Sequence, residues 1–247
     1  QGILEGTIIR VDDQFETAAD FELLCHTPSS ALGSCRYKMP SPDKGPEQYA
    51  KILEMFRKYN IGYFAYIGGN DSMDTVSKLS RYAAHHGSDI RFIGIPKTID
   101  NDLVLTDHTP GYGSAAKYVA ASVREIALDA SVYQQKAVTI VELMGRHAGW
   151  LTAASALARK EAGDNPLLIY LPEAPFELAQ FNDDLKKAFE KTANVIVCVS
   201  EGIRDHGGRF ICEYSTEAQV DTFGHKMLAG CGKILENYVR NQFGVKV

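Results

Sequence analysis

Lys97, Thr98, Asp100 and Asp102 fall within the run Gly94-Ile95-Pro96-Lys97-Thr98-Ile99-Asp100-Asn101-Asp102. Two carboxylates two residues apart in an extended turn can point into one crevice. That suits a general base beside a second carboxylate that orients substrate or holds a metal-bound water. Lys97, three residues ahead of Asp100, could hold an anionic group against the same place. An isolated Asp-Asn-Asp is as readily a polar turn that caps the next helix, so the rest of the chain must decide. It offers three companions: Gly68-Gly69-Asn70-Asp71-Ser72, Met144-Gly145-Arg146-His147-Ala148-Gly149-Trp150, and Ser200-Glu201-Gly202. The first is a phosphate-cradle pattern, in which glycines let backbone N–H groups approach and a helix N-terminus favours an anion. The second is again a strand-to-helix turn, with Gly and Arg at its tip.

Each set follows a short apolar run that reads as a buried parallel strand: residues 61–67, 90–95, 136–143 and 194–199, with 167–171 repeating the pattern. In open α/β sheets the carboxyl ends of the strands are where ligands sit. Between the strands lie amphipathic helices. One opens at Pro46 and presents Tyr49, Ile52, Leu53, Phe56 and Tyr59; a second presents Met73, Val76, Leu79 and Tyr82 and ends at Gly87; a third, 114–130, turns Ala116, Val119, Val123, Ile126 and Ala127 inward. The turns after residues 67 and 95 are one βαβ step apart and should share one sheet edge. Residues 3–11 read as a further strand, followed by a small-residue, hydroxylated loop, 26–36, that ends in Arg36 and could meet a phosphate. The fold class is α/β with largely parallel sheets. The boundary between two lobes is expected near 131–135, after the long helix.

Composition narrows the partners. The chain has 247 residues, 45% of them hydrophobic, enough for one large core or two modest ones. Its longest apolar runs fall far short of the roughly 20 residues a spanning helix needs. A net charge of −5, from 26 basic and 31 acidic residues with no basic tract, argues against nucleic acid as a partner. Cys25, Cys35, Cys198, Cys212 and Cys231 are odd in number and widely spaced, which fits reduced thiols in a cytosolic protein. The chain opens Gln1-Gly2-Ile3 without a methionine, so the sequence is expected to be a trimmed one.

Taken together, GGNDS (68–72), PKTIDND (96–102), MGRHAGW (144–150) and SEG (200–202), in this order and spacing, closely resemble the phosphofructokinase family and specifically its pyrophosphate-dependent branch. The resemblance runs over nearly the whole chain. It implies two doubly wound lobes, 1–133 for the phosphoryl donor and 134–247 for the sugar phosphate, with the active site in a cleft at strand C-terminal ends. It further implies phosphoryl transfer to the 1-hydroxyl of fructose 6-phosphate with Mg²⁺, in a cytoplasmic enzyme that is a homo-oligomer of two or four subunits. Asp100 would be the base, flanked by Thr98 and Asp102. Met144, Gly145 and Arg146 would line the sugar-phosphate side, and Glu201 would accept sugar hydroxyls. Gly69, Asp71, Ser72, Lys97 and Arg36 would face the donor, with Lys97 and Arg36 offsetting charge during transfer.

Donor choice follows from two positions. The ATP-using branch usually has glycine where this chain has Asp71 and Lys97. A carboxylate crowds a nucleotide's α-phosphate while an ammonium suits compact pyrophosphate, so repulsion and attraction act together. Three departures from the family pattern stand out. Asn70 replaces an Asp expected near Mg²⁺, which leaves the metal to be held mostly by pyrophosphate and water. The Gly-rich first phosphate loop, expected ahead of Ile3, is missing. A terminal substrate Arg is expected beyond Val247, and His225 is read as structural. The chain is therefore expected to be the central part of a longer enzyme. The alternatives are an ATP-dependent member of the family and a non-catalytic regulatory subunit.

Overall fold

The computed structural model describes residues 2–6, 8–10, 17–27, 30–31, 33–35, 37–214 and 230–247. By packing, the chain forms two units, Gln1–Lys97 and Thr98–Val247.

The first unit is a βαβ unit with helical cover. Helix α1 (Ala18–Leu24) starts at Thr17, whose N–H and hydroxyl both donate to Asp20 Oδ2, at 2.8 and 2.9 Å. Helix α2 (Pro46–Lys58) has Pro in its first turn and buries Tyr49, Ile52, Leu53, Met55 and Phe56. Strand β1 (Tyr63–Gly68), helix α3 (Asn70–His85) and strand β2 (Arg91–Pro96) follow, the strands pairing in parallel from Tyr63↔Arg91 to Gly68↔Pro96. The apolar face of α2 meets Leu79 and Ala83 of α3 and the sheet residues Phe64 and Phe92. Burial of each large side chain here is worth about 1.5–3 kcal/mol.

The expected strand over residues 3–11 does not form among the described residues. Gly6 N–H closes a turn on Ile3 O at 3.1 Å, and Gly6 takes φ +80. Ile3 and Leu4 pack against the α2 core instead, while Ile9 stays 64% exposed. Among the described residues no strand pairs with this segment, and alternation alone does not make one.

The second unit is a three-stranded parallel sheet covered on both faces. Helix α4 (Tyr112–Ser131) leads to strand β3 (Ala137–Leu143), then to short helix α5 (Trp150–Ala154) continuing as a 3-10 turn (Ser155–Ala158). Strand β4 (Leu168–Tyr170), helix α6 (Leu178–Phe189), strand β5 (Asn194–Ser200), a 3-10 turn (Ile211–Tyr214) and helix α7 (Cys231–Phe243) complete it. The order is β3-β5-β4, so β5 is central and every one of its residues is buried. This explains why β5 reads as an unbroken apolar run rather than an alternating one. Val195, Val197 and Val199 face Phe181, Leu185, Leu235 and Val239 of α6 and α7. Ile196 and Cys198 face the opposite layer, with Val119 and Val123 of α4 and Ala158. The division by packing at Lys97/Thr98 differs from the boundary expected near 131–135, because the buried face of α4 belongs to the core of the second unit.

Candidate active site

In the first unit, the glycines build the cradle. β1 ends at Gly68, and α3 begins after Gly69, which supplies no side-chain cap. A Cβ at Gly68 would collide with Ser72 Oγ, and one at Gly94 would come within 2.8 Å of Met73 Sδ. Gly68 thus lets the first turn of α3 approach β1 closely, and Gly94 leaves room for the Met73 side chain. Asn70 and Asp71 open α3 and are solvent-exposed, where the helix dipole favours negative charge nearby. Lys97 follows directly on β2, and its backbone N–H donates to Gly68 O at 2.9 Å. The cradle and the lysine thus sit on paired strand ends, as the strand spacing predicts. Arg36 lies outside the described residues, as does His225.

The second unit begins with the acidic turn. Thr98 Oγ1 accepts from Asp100 N–H at 3.1 Å. Asn101 is buried at φ +60, with both ends of its side-chain amide bonded to the loop that follows. Asp102 is exposed and lines a cavity of about 640 Å³ together with Asn101, Thr106, His108, Tyr112 and Trp150. The tie made by Asn101 reaches only six and eight residues along its own loop but follows no common turn pattern, and the place of Trp150 on the same cavity as Asp102 depends on long-range packing; neither is legible in the sequence.

At the other end of this unit, two of the expected substrate turns interlock. β3 and β5 end level with one another at Leu143↔Ser200. Ser200 Oγ donates to Gly145 O at 2.6 Å and accepts from Gly202 N–H at 3.0 Å. Gly145 N–H reaches Glu201 Oε1 at 3.3 Å. Gly145 has φ +130, and a Cβ there would strike Ala148 O; a Cβ at Gly202 would strike Arg146 O. Met144, Gly145, Arg146 and Glu201 are therefore brought together at one sheet edge, with Met144 exposed and Arg146 and Glu201 half-buried. Beside Arg146, His147 Nδ1 and Arg204 Nη2 lie 2.8 Å apart, and the Arg204 guanidinium sits 4.1 Å over the Phe210 ring.

Two helix starts next to this edge are occupied by the protein's own carboxylates. Glu142 accepts from Gly230 N–H at 3.0 Å and Gly232 N–H at 2.9 Å at the head of α7. Glu173 accepts from Gly149 N–H at 2.7 Å at the head of α5. Their sequence separations, 88, 90 and 24 residues, hide these caps from any local pattern. Burial pushes the nearby Cys231 thiol far above its ordinary range, with Glu142 adding to the effect.

The first unit thus carries glycines at a helix start with a lysine on the adjoining strand end, and the second carries an acidic turn and an Arg turn locked to a Glu turn. The chain matches the Phosphofructokinase family over residues 1–247, and it belongs to that family. It is 44% identical over 239 residues to the pyrophosphate–fructose 6-phosphate 1-phosphotransferase of Xanthomonas campestris pv. campestris (strain B100), covering 96% of this chain and 57% of that protein. A protein of the same name from Rhodospirillum rubrum is 43% identical over 254 residues, covering 99% of this chain and 61% of its own length. The chain thus spans less than two thirds of these curated relatives. A solved pyrophosphate-dependent phosphofructokinase from Marinobacter aquaeolei superposes with a TM-score of 0.77 at 38% identity, covering 99% of this chain and 55% of that one.

Proposed function

We propose that the full-length protein transfers a phosphoryl group from pyrophosphate to the 1-hydroxyl of fructose 6-phosphate, reversibly giving fructose 1,6-bisphosphate and phosphate. Asp100 takes the proton of the 1-hydroxyl as its oxygen attacks the terminal phosphorus. The bridging P–O bond breaks, and phosphate leaves with the electron pair. Phosphoryl transfer asks the protein for positioning and charge neutralisation, and one base on the attacking hydroxyl. Lys97 and Arg36 offset the charge on the transferring group. Gly69, Asp71 and Ser72 shape the donor side, while Arg146 grips the 6-phosphate. Thr98, Asp102, Met144, Gly145 and Glu201 hold the sugar. Apart from the Thr98–Asp102 turn, residues 1–133 serve the donor and 134–247 the sugar phosphate.

The observation that carries this reading is the tie of Lys97 N–H to Gly68 O at 2.9 Å, which keeps the lysine beside the glycine cradle whose first helical turn bears Asp71. A carboxylate and an ammonium at these positions disfavour a nucleotide's α-phosphate and suit pyrophosphate. The high identity to curated pyrophosphate-using relatives supports the same donor.

Mg²⁺ is the metal this reading implies. Among the described residues no cluster of three or more His, Cys, Asp or Glu could cage a metal, and the exposed Asn70 amide oxygen at the head of α3 is a hard, neutral ligand. Mg²⁺ keeps several waters and is commonly held by one or two protein oxygens plus substrate phosphates. Its chemistry would be to neutralise phosphate charge, with Asn70 holding it from the protein side.

Among the described residues no helix is long and apolar enough to cross a membrane. A cytoplasmic homo-oligomer of two or four subunits accords with this activity. The test is full-length turnover with fructose 6-phosphate and either pyrophosphate or ATP, with sedimentation for assembly state. A large preference for pyrophosphate is expected. A preference for ATP would retire the donor assignment, and sugar-phosphate binding without turnover would retire the enzyme.

A further inference from the structure

Asn101 stands between the two carboxylates of the acidic turn, yet its own side chain is turned to a different task. It is 7% exposed, and its backbone sits at φ +60, a conformation that Asn adopts more readily than other side-chain-bearing residues. Nδ2 donates to Asp107 O at 3.1 Å, and Oδ1 accepts from Thr109 N–H at 2.9 Å. One side chain therefore closes residues 101–109 into a ring. The ring includes the wall of the 640 Å³ cavity formed by Asp102, Leu103, Val104, Thr106, Asp107 and His108. With Asn101 fixed, the backbone on either side is fixed too, and Thr98 Oγ1 holds the Asp100 N–H from the other direction.

We infer that Asn101 is a positioning residue: its amide, stapled to the 107–109 segment, aims the carboxylates of Asp100 and Asp102 without touching the reacting atoms. The inference rests on the proposed role of Asp100 and adds to it. A base acts only from a narrow range of positions, and a displacement of about 1 Å can cost roughly 10²-fold in rate. Backbone conformation and side-chain staple are separable contributions. Glycine accepts φ +60 freely but cannot make the staple, whereas alanine loses the staple and resists the conformation.

The test uses the full-length enzyme with Asn101→Gly, Asn101→Ala and Asn101→Asp, reading kcat, both KM values and the thermal midpoint. Asn101→Gly is expected to fold, to keep its pyrophosphate KM, and to lose roughly 10- to 100-fold in kcat. Asn101→Ala should lose as much kcat and also melt earlier. If the residue served only the fold, glycine would rescue kcat along with stability, and a wild-type kcat in Asn101→Gly overturns the inference. Should the glycine variant fail to fold, Asn101→Asp keeps the acceptor for Thr109 N–H and loses the donation to Asp107 O. Reduced kcat at unchanged pyrophosphate KM in that variant supports positioning, and unchanged kcat overturns it. Failure of the functional reading looks different: wild-type enzyme then shows no turnover with either donor, or Asp100→Asn retains full kcat.

Discussion

Ser200 Oγ and the Gly145 carbonyl oxygen lie 2.6 Å apart in a position with no solvent exposure, and the same hydroxyl accepts from Gly202 N–H at 3.0 Å. One side chain thus joins the turn bearing Met144 and Arg146 to the turn bearing Glu201. Ser200→Ala leaves a buried carbonyl and a buried N–H without this partner, at a cost of about 1–3 kcal/mol. A lower urea midpoint is expected, with a raised KM for fructose 6-phosphate and a smaller change in kcat. Unchanged stability and KM would remove this tie from the account of the site.

The base and the phosphate grip should fail in different ways. Asp100→Asn is expected to lower kcat by about 10²–10⁴-fold, the range for a positioned base, with little change in sugar-phosphate affinity. Arg146→Ala removes a charge-assisted contact worth about 1.5–3 kcal/mol, so KM for fructose 6-phosphate should rise roughly 10- to 150-fold. Steady-state kinetics of the two full-length variants check both. If Arg146→Ala weakens pyrophosphate binding and spares the sugar phosphate, Arg146 serves the donor.

Donor selection should be divisible between Asp71 and Lys97. Asp71→Gly clears space and should permit weak ATP use while pyrophosphate use persists. Lys97→Gly should chiefly damage pyrophosphate turnover, because it removes a cation that offsets charge in the transition state. The double variant should shift the ratio of kcat/KM for ATP over pyrophosphate by more than either change alone, and non-additivity in that ratio would mark a shared site. ATP exclusion persisting in Asp71→Gly, with pyrophosphate turnover intact in Lys97→Gly, would assign donor choice elsewhere.

The carboxylate of Glu142 should matter to folding rather than to chemistry. Its two oxygens each take an N–H at the head of α7. Glu142→Gln keeps one acceptor and loses the charge that opposes the helix dipole, which costs about 0.5–2 kcal/mol. Chemical denaturation should show this loss at near-normal KM values. An unchanged midpoint would mean that the cap contributes nothing measurable.

Thiol reactivity should sort by burial. Cys25 and Cys35 are exposed, whereas Cys198 and Cys231 have no solvent exposure. Burial pushes the Cys198 thiol up to about 11, against smaller opposing effects from Ser155 and Arg159. At pH 8 a thiol reagent should modify Cys25 and Cys35 quickly and reach Cys198 and Cys231 only on unfolding. Because the folded value of Cys198 exceeds its ordinary 9.0, its contribution to stability is complete below about pH 9 and is lost as pH rises through about 11. Rapid native-state labelling of Cys198 would contradict its place in the core.

Much of the fold was written locally. The apolar runs of β1, β2, β3 and β5, the double glycine before α3 and the periodic face of α2 each carry their own period or breaker, and those elements lie where these signals put them, except that Tyr59, expected on the α2 face, caps the helix and is 45% exposed. The expected strand over residues 3–11 had alternation but, among the described residues, nothing pairs with it; Ile3 and Leu4 pack against the α2 core and Ile9 stays exposed. Helix α1 had a usable local signal in Thr17 and Asp20, two residues whose spacing marks a capping box. Glu142, Glu173 and Asn101 carried no such mark. Glu142 and Glu173 act through backbone groups that only the tertiary fold brings near, whereas Asn101 acts within its own loop, six and eight residues on, so residue type alone says nothing of their tasks. The turns at the strand ends were legible because glycine and polar residues directly after an apolar run mark where a strand stops, and their chemistry rests on the proposal above. Their supports were not.

The pairing of Leu143 with Ser200 is the last rung of a parallel ladder that begins at Ala137 and Asn194. Side chains alternate faces along such a ladder at about 3.3 Å per residue, so one residue inserted within β5 would both lift Glu201 away from Gly145 and turn it to the opposite face. Substitutions among the apolar residues 195–199 ask only for comparable volume. A deletion scan and a substitution scan of residues 195–199 would therefore give opposite pictures of the same five positions, tolerant of exchange and intolerant of any change in count. For these strands, length rather than identity is the quantity that heredity has to keep.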